Sequence, residues 1–241
     1  MENIKSDKRL IVALDVAGLK EVQKLVTELG DAVSYYKVGM EMFYNVGTSV
    51  VSYLCEQQKE IFLDLKLHDI PNTVAQGLTQ LTNLGVSMLN VHAGGGYTMM
   101  KAASEAVAKA AKEAGIPRPK LIAVTVLTSI GTEDWDKLNY AVDIQDQVVS
   151  LAKLAQSAGI DGVVASPREA KYIREACGEN FLIVTPGVRP SWAAVNDQNR
   201  IATPAGALKD GANYLVVGRP ITKADNPQDA AKRILCEMRE V

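Results

Sequence analysis

Short apolar runs alternate with segments of helical spacing along almost the whole chain. The first run, Leu10-Ile11-Val12-Ala13-Leu14, ends in Asp15. Leu19, Val22, Leu25, Val26 and Leu29 then recur at intervals of one helix face, and Gly30 closes the segment. A second strand is predicted over 33–38, with Lys37 near its end, followed by a helix over 46–58. A third strand over 61–66 opens with Ile61-Phe62-Leu63, and 72–84 reads as a helix stopped by Gly85. Strand four, 86–91, ends at His92, and the alanine-rich stretch 97–114 is strongly helical. Strand five, 121–127, runs into Thr128-Ser129; a longer loop and a helix over 145–158 follow. Strand six, 162–165, ends at Ser166, and Pro167 opens a helix to Cys177. Strand seven covers 181–185, a polar loop 186–203, a short helix 204–210 and strand eight 214–217, which ends in Gly218-Arg219-Pro220. The last helix begins near Pro227.

Strict alternation of strand and helix argues for a parallel sheet. Eight such units in 241 residues predict a single (β/α)8 TIM barrel, one α/β domain over 1–241. The alternative, an open doubly wound sheet, would show a GxGxxG turn after the first strand, and none is present.

Composition narrows the function classes. With 47% hydrophobic residues the chain supports a large core, and a net charge of -2 offers no basic field for nucleic acid. No apolar run is long enough to span a membrane, and Met1 to Lys5 lacks the apolar segment of a signal peptide. Cys55, Cys177 and Cys236 lie far apart without a CxxC pair, so neither a disulfide framework nor a zinc knuckle is expected. A reduced, cytoplasmic location is the default expectation. His68 and His92 are too few for a histidine-rich metal site.

Barrels of this kind carry their sites at the C-terminal ends of the strands. Those ends supply Asp15, Lys37, Asp64 with Lys66, His92, Thr128, Ser166, Arg189 beyond strand seven, and Gly218-Arg219. The stretch from Asp64 to Thr73 is the densest, with two carboxylates and one ammonium directly after a buried run. Alternation places Asp64 and Lys66 on one face of the strand. Opposite charges are a costly way to fill a core, which points to chemistry. A structural ion pair at the strand end is the plain alternative, and Asp69 before Ile70-Pro71 also suits a helix N-cap. Gly218 and Arg219 stand where barrels often bind phosphate, although Gly-Arg also suits an ordinary turn. Gly94-Gly95-Gly96 reads as a turn and His92 as a satisfied residue of the barrel wall. The loop 187–203 is long enough for a lid and carries Arg189, Gln198 and Arg200.

Asp64-x-Lys66-x-x-Asp69-Ile70-Pro71-Asn72-Thr73 resembles the signature of the orotidine 5′-phosphate decarboxylase family. Asp15, Lys37-Val38-Gly39, Leu127-Thr128-Ser129, Thr185-Pro186-Gly187-Val188-Arg189 and Val217-Gly218-Arg219-Pro220 match its remaining motifs in order. The resemblance implies a carboxy-lyase without metal or cofactor, converting orotidine 5′-phosphate to UMP and CO2 at the end of de novo pyrimidine synthesis. It implies a homodimer with active sites at the subunit interface, and no nucleic-acid or membrane partner. By position, Lys37, Asp64, Lys66 and Asp69 would form an alternating charge array, with Asp69 contributed by the partner and Lys66 protonating C6. Asp15 and Lys37 would hold the ribose hydroxyls, and Thr128 would touch the pyrimidine. Arg189, Gln198, Gly218 and Arg219 would close around the phosphate, and Thr73 would reach substrate from the partner. Two rival readings stay open. One is a magnesium-dependent sugar-phosphate lyase or decarboxylase, whose barrels share Asp-x-Lys-x-x-Asp; the other is a non-catalytic nucleotide-binding barrel. The full Asp-Ile-Pro-Asn-Thr ending favours the nucleotide enzyme.

Overall fold

The computed structural model describes residues 6–192 and 202–240. Its strands are β1 (Leu10–Ala13), β2 (Tyr35–Gly39), β3 (Glu60–Leu67), β4 (Met88–His92), β5 (Lys120–Val124), β6 (Gly162–Val164), β7 (Leu182–Pro186) and β8 (Tyr214–Val217). Each pairs in parallel with the next, and β8 returns to β1, closing the barrel. This is the (β/α)8 architecture that the alternation predicts.

The apolar runs are continuous because both strand faces are buried, each against a different layer. Ile11, Tyr35, Phe62, Met88, Ile122, Val184 and Val216 point inward and fill the barrel. Their neighbours Leu10, Val12, Tyr36, Leu63, Leu89 and Leu215 point outward into the shell between barrel and helices. The inward parity continues at each strand's C-terminal end. It therefore delivers Lys37, Asp64 and Asn90 from β2, β3 and β4 to one mouth, and Asp15 and Gly218 just beyond β1 and β8.

The helices are α1 (Leu19–Leu29), α2 (Met40–Val46), α3 (Ser49–Glu56), α4 (Pro71–Thr82), α5 (Gly96–Ala114), α6 (Thr132–Leu138), α7 (Ile144–Ser157), α8 (Ala170–Cys177), α9 (Pro204–Lys209), α10 (Arg219–Thr222) and α11 (Pro227–Glu237). The helix expected over 46–58 is α3, shorter at both ends, and α2 precedes it where no helix was expected. Gly47, at φ 62°, ends α2, and α3 starts two residues later. The region after β5, read as a loop, holds α6, which buries only Trp135 and so shows no apolar stripe. The fifth strand stops at Val124, which puts Thr128 on the loop beyond it. Arg189 lies in the loop after β7, where its N–H donates to the Ala202 carbonyl at 2.9 Å.

Strands β6 and β7 approach so closely that only glycine fits at position 162. A Cβ there would stand 2.2 Å from the Leu182 carbonyl oxygen.

Candidate active site

The site begins with an irregularity in β3. Leu63 pairs with Leu89 and Leu67 with Val91, so four steps of β3 span two of β4. The slack is absorbed at Lys66, whose φ is +52°. A side chain in this left-handed region costs roughly 1–2 kcal/mol. Asp64 and Lys66 do face one site, as expected, but the bulge rather than simple alternation sets the direction of Lys66.

Asn90 on β4 spans the bulge. Its Oδ1 accepts from the Lys66 backbone N–H at 2.8 Å, and its Nδ2 donates to Asp64 Oδ1 at 2.6 Å. The Lys66 ammonium donates to the same Asp64 oxygen at 2.7 Å. On the other side Lys37 Nζ lies 3.4 Å from Asp64 Oδ2 and 3.4 Å from Asp15 Oδ1. Asp15, Lys37, Asp64 and Lys66 thus form one line of alternating charge across three strand ends. Burial of Asp64 raises its carboxyl, but Lys37, Lys66 and the hydrogen bonds from Lys66 and Asn90 together outweigh that, so its pKa falls below the ordinary carboxylate value. Asp64 is ionised at neutral pH, buried and fully engaged.

The charges sit beside a cavity of about 200 Å³ lined by Lys37, Phe62, Asp64, Lys66, Val124, Val126, Leu127, Thr128, Val164, Pro186 and Val216. Its walls are otherwise apolar, and its size suits a flat heterocycle. Thr128 is a lining residue, as the sequence predicts. Gly218 borders the line of charge, since a Cβ on it would lie 3.4 Å from Asp15 Oδ2. Arg219 follows at the exposed start of α10, while Arg189 is buried beyond β7. Gln198 and Arg200 lie outside the described residues.

Asp69 and Thr73 are not brought to this cavity. With Met40, Tyr44, Leu67 and His68 they line a second, wider concavity of about 580 Å³, which Lys66 also borders. Asp69 is exposed, pairs with no lysine among the described residues, and accepts from the N–H of Ile70 at 2.6 Å. The expected N-cap is corrected as well: the cap position of α4 is Ile70, with no side-chain bond. Met40, Tyr44 and Ile70 leave an exposed apolar face around this concavity.

Two further strand-end residues have other work. Ser166 caps the turn before α8, exchanging bonds with Arg168 and Glu169 in a capping box. His92 is half-buried at the barrel wall and makes no side-chain hydrogen bond to another described residue. It faces His68 across 5.3 Å between ring centroids. Burial, then the charges of His68 and Lys66, push its pKa below the ordinary histidine value against the pull of Asp64. Among the described residues no three His, Cys, Asp or Glu side chains form a group able to hold a metal ion.

Sequence reasoning passed over Asn90. The available signal was an amide at an inward position of the apolar strand Met88-Leu89-Asn90-Val91, one strand away from Asp64.

Residues 8–234 match the model of the family described as orotidine 5′-phosphate decarboxylase / HUMPS. The chain belongs to this family. It is 50% identical over 234 residues to the orotidine 5′-phosphate decarboxylase of Moorella thermoacetica, covering 97% of this chain and 93% of the relative. The enzyme of that name from Geobacter metallireducens is 50% identical over 231 residues, 96% of each chain. Among solved structures, the orotidine 5′-phosphate decarboxylase of Lactobacillus acidophilus is 43% identical with a TM-score of 0.84, over 96% of this chain and 99% of that one. The Pyrococcus horikoshii OT3 structure of the same name is 28% identical with a TM-score of 0.76, over 96% and 100%. These full-length relatives carry the first of the two names in the family description, and the chain is an enzyme of this carboxy-lyase family.

Proposed function

We propose that the chain decarboxylates orotidine 5′-phosphate to UMP and CO2, closing pyrimidine nucleotide synthesis, with its own charges in place of a metal or cofactor. The observation that supports this best is the Lys37–Asp64–Lys66 line at the edge of a cavity of heterocycle size. When the bond from C6 to the carboxylate breaks, its electron pair stays on C6 in the ring plane, where the ring π-system cannot delocalise it. Lys66 offers a fixed ammonium to that pair and donates its proton to C6, giving UMP and a neutral amine that solvent reprotonates. Asp64 holds both lysines in place. The charges are set before substrate arrives, so no reorganisation is needed as the anion forms.

Thr128 faces the base. Asp15 and Lys37 hold the ribose hydroxyls, and Gly218, Arg219, Arg189 and Gln198 close on the phosphate. Magnesium is a poor fit for Asp64, whose two oxygens already serve two ammonium groups.

The working form is a homodimer in the cytoplasm, in which Asp69 and Thr73 of one copy complete the site of the other. Their placement on an exposed apolar face beside Lys66, apart from their own chain's cavity, supports this. Three free cysteines accord with a reducing compartment. The test is the ultraviolet change on loss of the orotate carboxylate, with and without chelator, beside sedimentation of the protein. Equal turnover in both conditions by a dimer is expected. Dependence on added magnesium, or tight UMP binding without turnover, would overturn the reading.

A further inference from the structure

We propose that Asn90 is a positioning residue for the decarboxylation, a splint that fixes both the backbone turn and the ammonium of Lys66. This rests on the catalytic reading of Lys66 given above.

Lys66 has a left-handed backbone without being glycine, and the parallel pairing of β3 with β4 is interrupted there. Such a conformation persists only where the surroundings over-determine it. The Lys66 N–H donates to Asn90 Oδ1, so a side chain holds the turn at a place where a strand would use a carbonyl. The other end of the same amide donates to Asp64 Oδ1, the atom that also receives the Lys66 ammonium. Asn90 therefore grips Lys66 twice, once through its main chain and once through the acid that orients its head group.

The chemistry singles out asparagine. The position needs a donor and an acceptor on one short, planar, neutral group. A carboxylate at this point would accept from the Lys66 N–H but would repel Asp64. A leucine would leave a buried N–H and a buried carboxylate oxygen each short of a partner. Glutamine would overreach, because Asn90 is 1% exposed with no slack around it. The amide's orientation follows from its partners, since the reverse flip would set its NH2 against the Lys66 N–H.

The isosteric variant Asn90→Asp gives a test that a merely structural role cannot imitate. Two carboxyls side by side share a proton, so one titrates well above its usual range. Once protonated, the introduced carboxyl restores the pattern of Asn90, with O–H toward Asp64 and C=O toward the Lys66 N–H. The ratio of variant to wild-type kcat should therefore rise by about tenfold or more between pH 8 and pH 5.5. Asn90→Ala should lose roughly 10²-fold in kcat at every pH, with a much smaller change in KM, because the reacting group is misplaced while phosphate and ribose contacts stay. Its crystal structure should show Lys66 leaving the positive-φ region.

A pH-independent ratio for Asn90→Asp, or an Asn90→Ala enzyme with near-normal kcat, would overturn the proposal. If Asn90→Ala does not fold, the Asn90→Asp profile decides alone. If the wild type itself fails to decarboxylate orotidine 5′-phosphate, the functional reading fails first, and the backbone of Lys66 in the two variants still judges the splint.

Discussion

Lys66 combines a left-handed backbone with a place in the line of charge at the barrel mouth. Its ammonium touches the buried carboxylate of Asp64, and its backbone occupies a region that side chains avoid. In the proposed reaction, removing the side chain would delete both an electrostatic stabiliser and a proton donor, terms of about 10²–10³ and 10²–10⁴. Lys66→Ala should lower kcat by at least ~10⁴-fold while the melting temperature stays close to wild type. Turnover within tenfold of normal would remove the role. His92 gives a prediction of a different kind. Its folded pKa lies below the ordinary 6.5, so below that pH the unfolded chain takes up protons that the folded one resists. Its contribution to stability is fully present above 6.5 and is lost as pH falls through the folded value. Urea midpoints measured from pH 7 to pH 5 should fall less steeply in His92→Asn than in the wild type. Parallel slopes would show that His92 has no part in the acid sensitivity.

At the scale of elements, the β6–β7 pair is the tightest joint. A Cβ at Gly162 would meet backbone, which has no rotamer by which to escape, at 2.2 Å from the Leu182 oxygen. Gly162→Ala should cost about 3 kcal/mol or more, and so lower the melting temperature by roughly 6–12 °C. Gly131→Ala is the matched control. It has no heavy atom within 4 Å of the added carbon and loses only the glycine N-cap of α6, so it should cost about 1 kcal/mol or less. The same scale shows what patterning reveals and what it hides. All eight strands were legible because a barrel strand buried on two faces writes an unbroken apolar run. Helix α2 was hidden because it has seven residues and buries only Met42, which leaves no stripe to read. Helix α6 was hidden because a helix lying over a barrel mouth with one buried tryptophan has almost no stripe to read. Within the site, charged residues announced themselves by their cost of burial. Asn90 is neutral and satisfied entirely by partners distant in sequence, so nothing local marked it. The bulge at Lys66 was equally invisible, since it exists only relative to β4.

At the scale of the whole molecule, one chain holds four charges in line and keeps Asp69 apart from them. Asp15, Lys37, Asp64 and Lys66 form a continuous line, while Asp69 stands on an outer face with Met40, Tyr44 and Ile70. If a second copy supplies Asp69, two individually dead variants should rescue each other. Mixed Lys66→Ala and Asp69→Ala subunits form hybrids with one intact site and one doubly defective one. Up to a quarter of wild-type activity per total site should return in a statistical mixture, where half of the dimers are hybrids. Verified hybrids without recovery would place Asp69 in the service of its own chain.

The closure of the barrel has a consequence for synthesis. Leu10 hydrogen-bonds its strand to that of Leu215, so the earliest strand to leave the ribosome waits for the latest. Until then both rims of the growing sheet are sticky, with open N–H and C=O rows flanked by aliphatic side chains. Chains prematurely terminated before β8 should thus be clients of holding chaperones or end in inclusion bodies, because β2 covers one edge of β1 and only β8 covers the other.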